Sequence, residues 1–158
     1  MSIFVDHAML KHKLKVRGCK AHLSANQSIP TVTWTQILLD VEDFDDFGEF
    51  NPVTHQATIA KTGRYLIIAS ILWSNMTTTT DCELLVARNG IYVAGLLQIF
   101  ITCSTAAPAY VTCTGSTVVN LNAGDVVDLW AYQSTGSAKT VYGSNVYINT
   151  FLVVLRLS

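Results

Sequence analysis

The run Arg64-Tyr65-Leu66-Ile67-Ile68-Ala69-Ser70-Ile71-Leu72-Trp73-Ser74 carries the strongest structural signal in this 158-residue chain. Successive side chains of a β-strand point to opposite faces. Tyr65, Ile67, Ala69, Ile71 and Trp73 therefore share one face, and Leu66, Ile68, Ser70 and Leu72 share the other. Both faces are largely apolar. A strand with one wet face alternates apolar and polar residues, so this one is expected to be covered twice. A sandwich core covers one side, and a second subunit is the expected cover for the other. Residues 145–157 repeat the pattern, with Tyr147, Phe151, Val153, Leu155 and Leu157 on one face and Val146, Ile148, Leu152 and Val154 on the other.

The bulk composition agrees with a surplus of apolar surface. Half of the residues are hydrophobic, 13% are charged, and the mean hydropathy is +0.36. The apolar run Tyr65–Trp73 has nine residues with a serine inside it, far short of the roughly 20 that a membrane helix needs. A net charge of −1 supplies no general attraction to nucleic acid or anionic lipid, so neither is an expected partner. The charges are segregated, however. Lys11, Lys13, Lys15, Arg17 and Lys20 are half of the basic residues, and Asp40, Glu42, Asp43, Asp45, Asp46 and Glu49 are most of the acidic ones. The first segment, 1–20, reads as a basic arm or tether and the second as a solvated acidic loop.

Beyond the arm, short runs rich in Val, Ile, Thr, Tyr and Trp alternate with Gly, Asn, Asp, Ser and Pro. Strands are expected at 21–25, 32–39, 56–60, 64–74, 82–88, 91–101, 109–121, 125–133 and 145–157, with no helix after residue 20. Asn89-Gly90 is a strong hairpin signal, and Asn122-Ala123-Gly124-Asp125 and Ser134-Thr135-Gly136-Ser137 supply further turn residues. The predicted fold is all-β, an antiparallel two-sheet sandwich or jelly roll over residues 21–158.

Chemistry-bearing motifs are few. Gly115-Ser116 and Gly143-Ser144 are not G-x-S-x-G, and no strand–turn–helix is expected to form a nucleophile elbow. Neither G-x-x-x-x-G-K-[ST] nor G-x-G-x-x-G occurs, so nucleotide binding by those devices is excluded. His7, His12, Cys19 and His22 lie in a segment too open for a closed zinc site. The acidic loop 40–49 is the better cation candidate, since clustered carboxylates suit Ca²⁺, but in Asp43-Phe44-Asp45-Asp46-Phe47-Gly48 phenylalanine stands where an EF-hand needs its third oxygen ligand. No metal, cofactor or catalytic residue is predicted, and the chain is read as a non-enzyme. Phe44, Phe47 and Phe50 are expected to pin the acidic loop to the sandwich while its carboxylates stay in water. Cysteines at 19, 82, 103 and 113 form no dense framework. Cys103 and Cys113 flank a Pro-containing turn and could face each other, but buried thiols in a reducing cell are expected. The opening MSIFVDHAML lacks the features of a secretory signal. The sequons at Asn26 and Asn75 matter only in a eukaryotic secretory pathway. Trp34, Trp130, Tyr132 and the polar loop 75–81 are candidates for a sugar or receptor site.

Several segments in order resemble the C1q/tumour-necrosis-factor-like jelly roll, in its bacterial and bacteriophage form. They are Ala21–Gln27, Trp34-Thr35, Phe44-Asp45, Gly48–Pro52, Thr62–Ile67, Arg88-Asn89-Gly90, Leu121–Leu129 and the final strand Phe151–Ser158. The stretch Leu121-Asn122-Ala123-Gly124-Asp125-Val126-Val127-Asp128-Leu129 fits the family's L-x-x-G-D-x-V-x-L pattern. The chain departs from the vertebrate pattern at Ala57, where a Phe is usual, and shows no Gly-X-Y stalk ahead of the domain. The resemblance implies a homotrimer packed about a threefold axis, with Tyr65, Ile67, Tyr147, Phe151 and Val153 at the subunit interface. With the basic arm (Lys11, Lys13, Lys15, Arg17 and Lys20) as a partner-binding tether, the expected role is a bacteriophage capsid decoration, or cement, protein. Its partners would be itself and the major capsid protein, and its place the virion, assembled in the host cytoplasm. The alternative is a tail-fibre recognition module, or an extracellular ligand, for a host glycan or receptor.

Overall fold

The computed structural model describes residues 16–76, 80–90, 94–103 and 109–157. Thirteen strands run through them: β1 (Arg17–His22), β2 (Gln27–Ile29), β3 (Thr35–Gln36), β4 (Val41–Asp45), β5 (Phe50–Asn51), β6 (Gln56–Thr58) and β7 (Gly63–Met76), then β8 (Thr80–Arg88), β9 (Ala94–Cys103), β10 (Ala109–Leu121), β11 (Val126–Gln133), β12 (Lys139–Val141) and β13 (Phe151–Arg156). They form two antiparallel sheets. The seven-stranded sheet runs β2-β12-β7-β13-β1-β4, with β10 along the other edge of β7. Along that shared edge of β7, β13 pairs residues 65–70 and β12 pairs residues 73–74. The six-stranded sheet runs β5-β6-β11-β8-β9, with β3 also on β11. The all-β sandwich expected from the sequence is the observed architecture.

The core fills the space between the sheets. Tyr65, Ile67, Ala69, Ile71 and Trp73 of β7 are fully buried there, with Leu84 and Val86 of β8 and Val127, Leu129 and Ala131 of β11. Each large apolar side chain removed from water contributes about 1.5–3 kcal/mol, so this layer defines the fold. The turns do what their residues allow. Asn89 and Gly90 both take positive φ as the chain leaves β8, a backbone that Asn and Gly adopt readily. Asn89 then bonds the neighbouring turn, its Oδ1 accepting from Val126 N and its Nδ2 donating to Asp125 Oδ1. The bond from Asn122 N, and then that from Asn89 Nδ2, hold the Asp125 carboxyl below its usual range.

Three element boundaries differ from expectation. The first strand is Arg17–His22 rather than 21–25, so Arg17 and Lys20 belong to the sandwich and not to a free arm. The span 32–39 holds only the two-residue β3, and the acidic run 40–49 contains the strand β4. The last strand begins at Phe151, not at 145. Ser144 explains that late start. Its Oγ accepts from the backbone N–H of Val146 and Tyr147, a local turn that competes with strand pairing.

Candidate assembly face

The register of the seven-stranded sheet decides which residues look outward. Phe151, Val153 and Leu155 of β13 stand opposite Ser70, Ile68 and Leu66 of β7. On the other side of β7, Thr112, Thr114, Ser116 and Val118 of β10 stand opposite Leu72, Ser70, Ile68 and Leu66. Directly opposed residues of an antiparallel pair share a face. Tyr65, Ile67 and Trp73 point into the core, so this second set faces away from it. The outward face thus carries Leu66, Ile68, Leu72, Val118, Phe151, Val153 and Leu155; Val118 is 53% exposed, Val153 only 7%, and the other five are half-buried. Strands β10, β7 and β13 form this apolar surface.

The expected interface set divides between the two faces. Phe151 and Val153 lie on the outward face. Tyr147, 68% exposed, lies in the turn before β13 and not on a strand of this face. Tyr65 and Ile67 are completely buried between the sheets, where the Tyr65 hydroxyl donates to Lys61 O at 2.6 Å. They have no surface to offer a partner. Both faces of β7 are apolar, and only pairing with β13 tells which one joins Phe151. The outward residues missed as interface candidates are Leu66, Ile68, Leu72 and Val118.

Charges flank this face and are mostly satisfied at once. His22 is buried; its Nδ1 lies 3.0 Å from Asp43 Oδ1 and its Nε2 3.1 Å from Asn145 Oδ1. Lys20 Nζ pairs with Asp43 Oδ2 at 2.9 Å and lies 5.4 Å from the Phe151 ring centre. Arg17 and Lys61 approach the Phe47 ring, at 5.8 and 5.1 Å. Lys11, Lys13 and Lys15 lie outside the described residues. Three more acids of the run accept from backbone donors: Asp40 from Ser24, Asp45 from Phe47 and Phe50, and Asp46 from Gly18. Glu49, expected in water, is instead 2% exposed. Of the three phenylalanines, Phe50 is buried, Phe47 is half-buried and Phe44 remains exposed. Among the described residues no three His, Cys, Asp or Glu side chains gather as a metal site, and no helix is long and apolar enough to cross a membrane.

No protein-family model and no curated relative matches the sequence. Solved structures do match the fold. An Eiger TNF from S. frugiperda superposes with a TM-score of 0.69 at 13% identity, covering 90% of this chain and 93% of that one. Murine APRIL at pH 8.0 gives 0.67 at 19% identity, covering 90% and 100%, and murine APRIL at pH 5.0 gives 0.65 at 18%, covering 88% and 98%. The fold is a TNF-like jelly roll.

The opposite face of this TNF-like jelly roll has a different character. On the outside of the six-stranded sheet, Trp130 stands between Gln36 and Leu85, and Leu85 is opposite Gln98. In the adjacent row Tyr132 is opposite Glu83, and Glu83 opposite Phe100. Trp34 packs on Tyr132 with ring centres 5.3 Å apart. The sugar-site candidates Trp34, Trp130 and Tyr132 are therefore neighbours, whereas the polar loop 75–81 has residues 77–79 outside the described part. A separate groove of about 470 Å³ is lined by Leu23, Gln27, Leu38, Asp40 and His55, among others. Cys19, Cys82 and Cys113 are interior. Burial pushes the Cys19 thiol well up, and Cys113 meets Cys82 across the sandwich, sulfur to sulfur at 3.9 Å. The side chain of Cys103 lies outside the described residues.

Proposed function

We propose that this chain is a non-enzymatic structural protein that self-associates as a homotrimer through the outward face of its seven-stranded sheet. The observation that carries this is the apolar surface of Leu66, Ile68, Leu72, Val118, Phe151, Val153 and Leu155, contributed by three adjacent strands. A contiguous apolar face of this kind marks an interaction site, and a closed rotational assembly is the common way to bury identical faces. The C1q/TNF-like resemblance supplies the threefold symmetry. Three features support a virion component, most specifically a bacteriophage capsid decoration protein bridging capsid subunits. They are the scarcity of charge, the buried thiols and the basic segment ahead of β1.

Mass determination by light scattering tests the assembly. The wild-type chain is expected to run as a trimer, and Ile68→Asp as a folded monomer, because a carboxylate on that face is tolerated only in water. Tyr65→Asp should instead lose the sandwich itself, with a cost of more than about 3 kcal/mol for a lost core aromatic. A monomeric wild type, or a trimeric Ile68→Asp, would overturn the assembly. Imaging labelled protein on particles tests the role, and labelling on tails instead of capsids would replace it with the recognition reading.

A further inference from the structure

We propose that the outer face of the six-stranded sheet is a binding surface for an uncharged glycan. This face is on the other side of the sandwich from the assembly face, so the two surfaces are available together. Its two cross-strand rows place Trp34, Tyr132, Glu83 and Phe100 side by side, with Gln36, Trp130, Leu85 and Gln98 next to them. Strands lie about 4.8 Å apart, so four of them make a platform roughly 15 Å wide.

The chemistry on the platform is that of sugar recognition. Aromatic faces carry negative charge density and accept the polarised C–H groups of a pyranose ring. Phe100 is 58% exposed, and Trp34, Trp130 and Tyr132 each keep part of their surface in water. Specific polar groups among apolar walls fix a ligand's orientation. Here Glu83 is anchored by Gln98, whose Nε2 donates to Glu83 Oε2 at 2.6 Å. Trp130 is held by Asp128, whose Oδ1 accepts the indole N–H at 2.8 Å while its Oδ2 accepts from Gln56 at 2.9 Å. Asp128 is a positioning residue: it fixes the indole and is itself completely buried.

Charge selects among possible occupants. Asp81 and the edge of Glu83 (9% exposed) present carboxylates on this side of β8, while the single cation in β8, β9 and β11 is Arg88 at the end of β8, on the opposite parity. Phosphate backbones and anionic headgroups need cations, and a sialylated glycan would meet like charge. An apolar protein surface would bury carboxylates at a desolvation cost. Hydroxyls of an uncharged sugar donate to carboxylates without either penalty.

The test uses the full chain on an array of neutral hexose and N-acetylhexosamine oligosaccharides, with their sialylated counterparts alongside. Binding confined to neutral members, weakened at least tenfold by Trp34→Ala and by Phe100→Ala with melting temperature unchanged, is the expected result. Phe100 is exposed enough that its variant reads binding even where Trp34→Ala loosens the fold. Absence of binding, preference for sialylated members, or full binding by Phe100→Ala would overturn the proposal. Repeating the array with Ile68→Asp separates it from the assembly: single-site binding should survive, with the gain from multivalency lost.

Discussion

Glu49 ends the acidic run, yet its carboxylate lies inside the sandwich. The turn that puts it there is built by Asp45, whose two oxygens accept from Phe47 N and Phe50 N. Glu49 Oε1 then accepts from Ala60 N at 2.8 Å, and Oε2 is buried without a hydrogen-bond partner among the described residues. Burial raises its proton affinity above the ordinary carboxyl value of 4.5, more than the Ala60 bond and Arg156 lower it. A group that binds its proton more tightly when folded stabilises the fold fully below its ordinary value, and that contribution is lost as pH rises through the raised one. Glu49→Gln should therefore match the wild type near pH 4 and become the more stable protein by pH 8 in urea titrations. Parallel curves across that range would show that the buried carboxyl is not the source. Nothing in six closely spaced acids singles out the one that turns inward, because the signal is the backbone path of the Asp45 turn. That Tyr65 and Trp73 share a face was plain from the alternation of β7; that this face is the core one was not.

At the scale of elements, strands were legible and register was not. β7, β10 and β11 fall within two residues of their expected spans, because β-branched runs and Gly or Asn turns mark them out. A strand apolar on both faces has no preferred side, and a slip of one residue exchanges its faces. That degeneracy is why Tyr65 and Phe151 looked like neighbours on one surface, although β7–β13 pairing puts them on opposite sides of the sheet. Gly18 helps fix this register. A Cβ there would lie 1.9 Å from Val154 O and 2.9 Å from Leu155 Cα, both backbone atoms of β13. Gly18→Ala must push β1 off β13, and should cost about 1–3 kcal/mol or more in thermal or urea unfolding. An unchanged midpoint would mean that the β1–β13 pairing yields freely.

For the whole molecule, the outward apolar face is the feature that the composition announced and the register located. The basic segment belongs to the same scale, and its boundary is now sharper. Arg17 and Lys20 are committed to β1, so a deletion that spares the sandwich must stop short of Arg17. Removing 1–15 should leave the oligomer intact and abolish capture by capsids in a sedimentation assay. Wild-type capture should also weaken with added salt, as screening of exposed charge requires. Truncated protein that still co-sediments would rule out the tether. One further property follows from β10, which pairs with β7 alone among the described strands and has no charged residue in Ala109–Leu121. Natural sheets guard a free margin with lysine, proline or a short length, and this margin is thirteen residues long with none of those guards. An isolated copy would therefore present an open template for strand addition along β10, a hazard that any lasting monomer of this chain would carry.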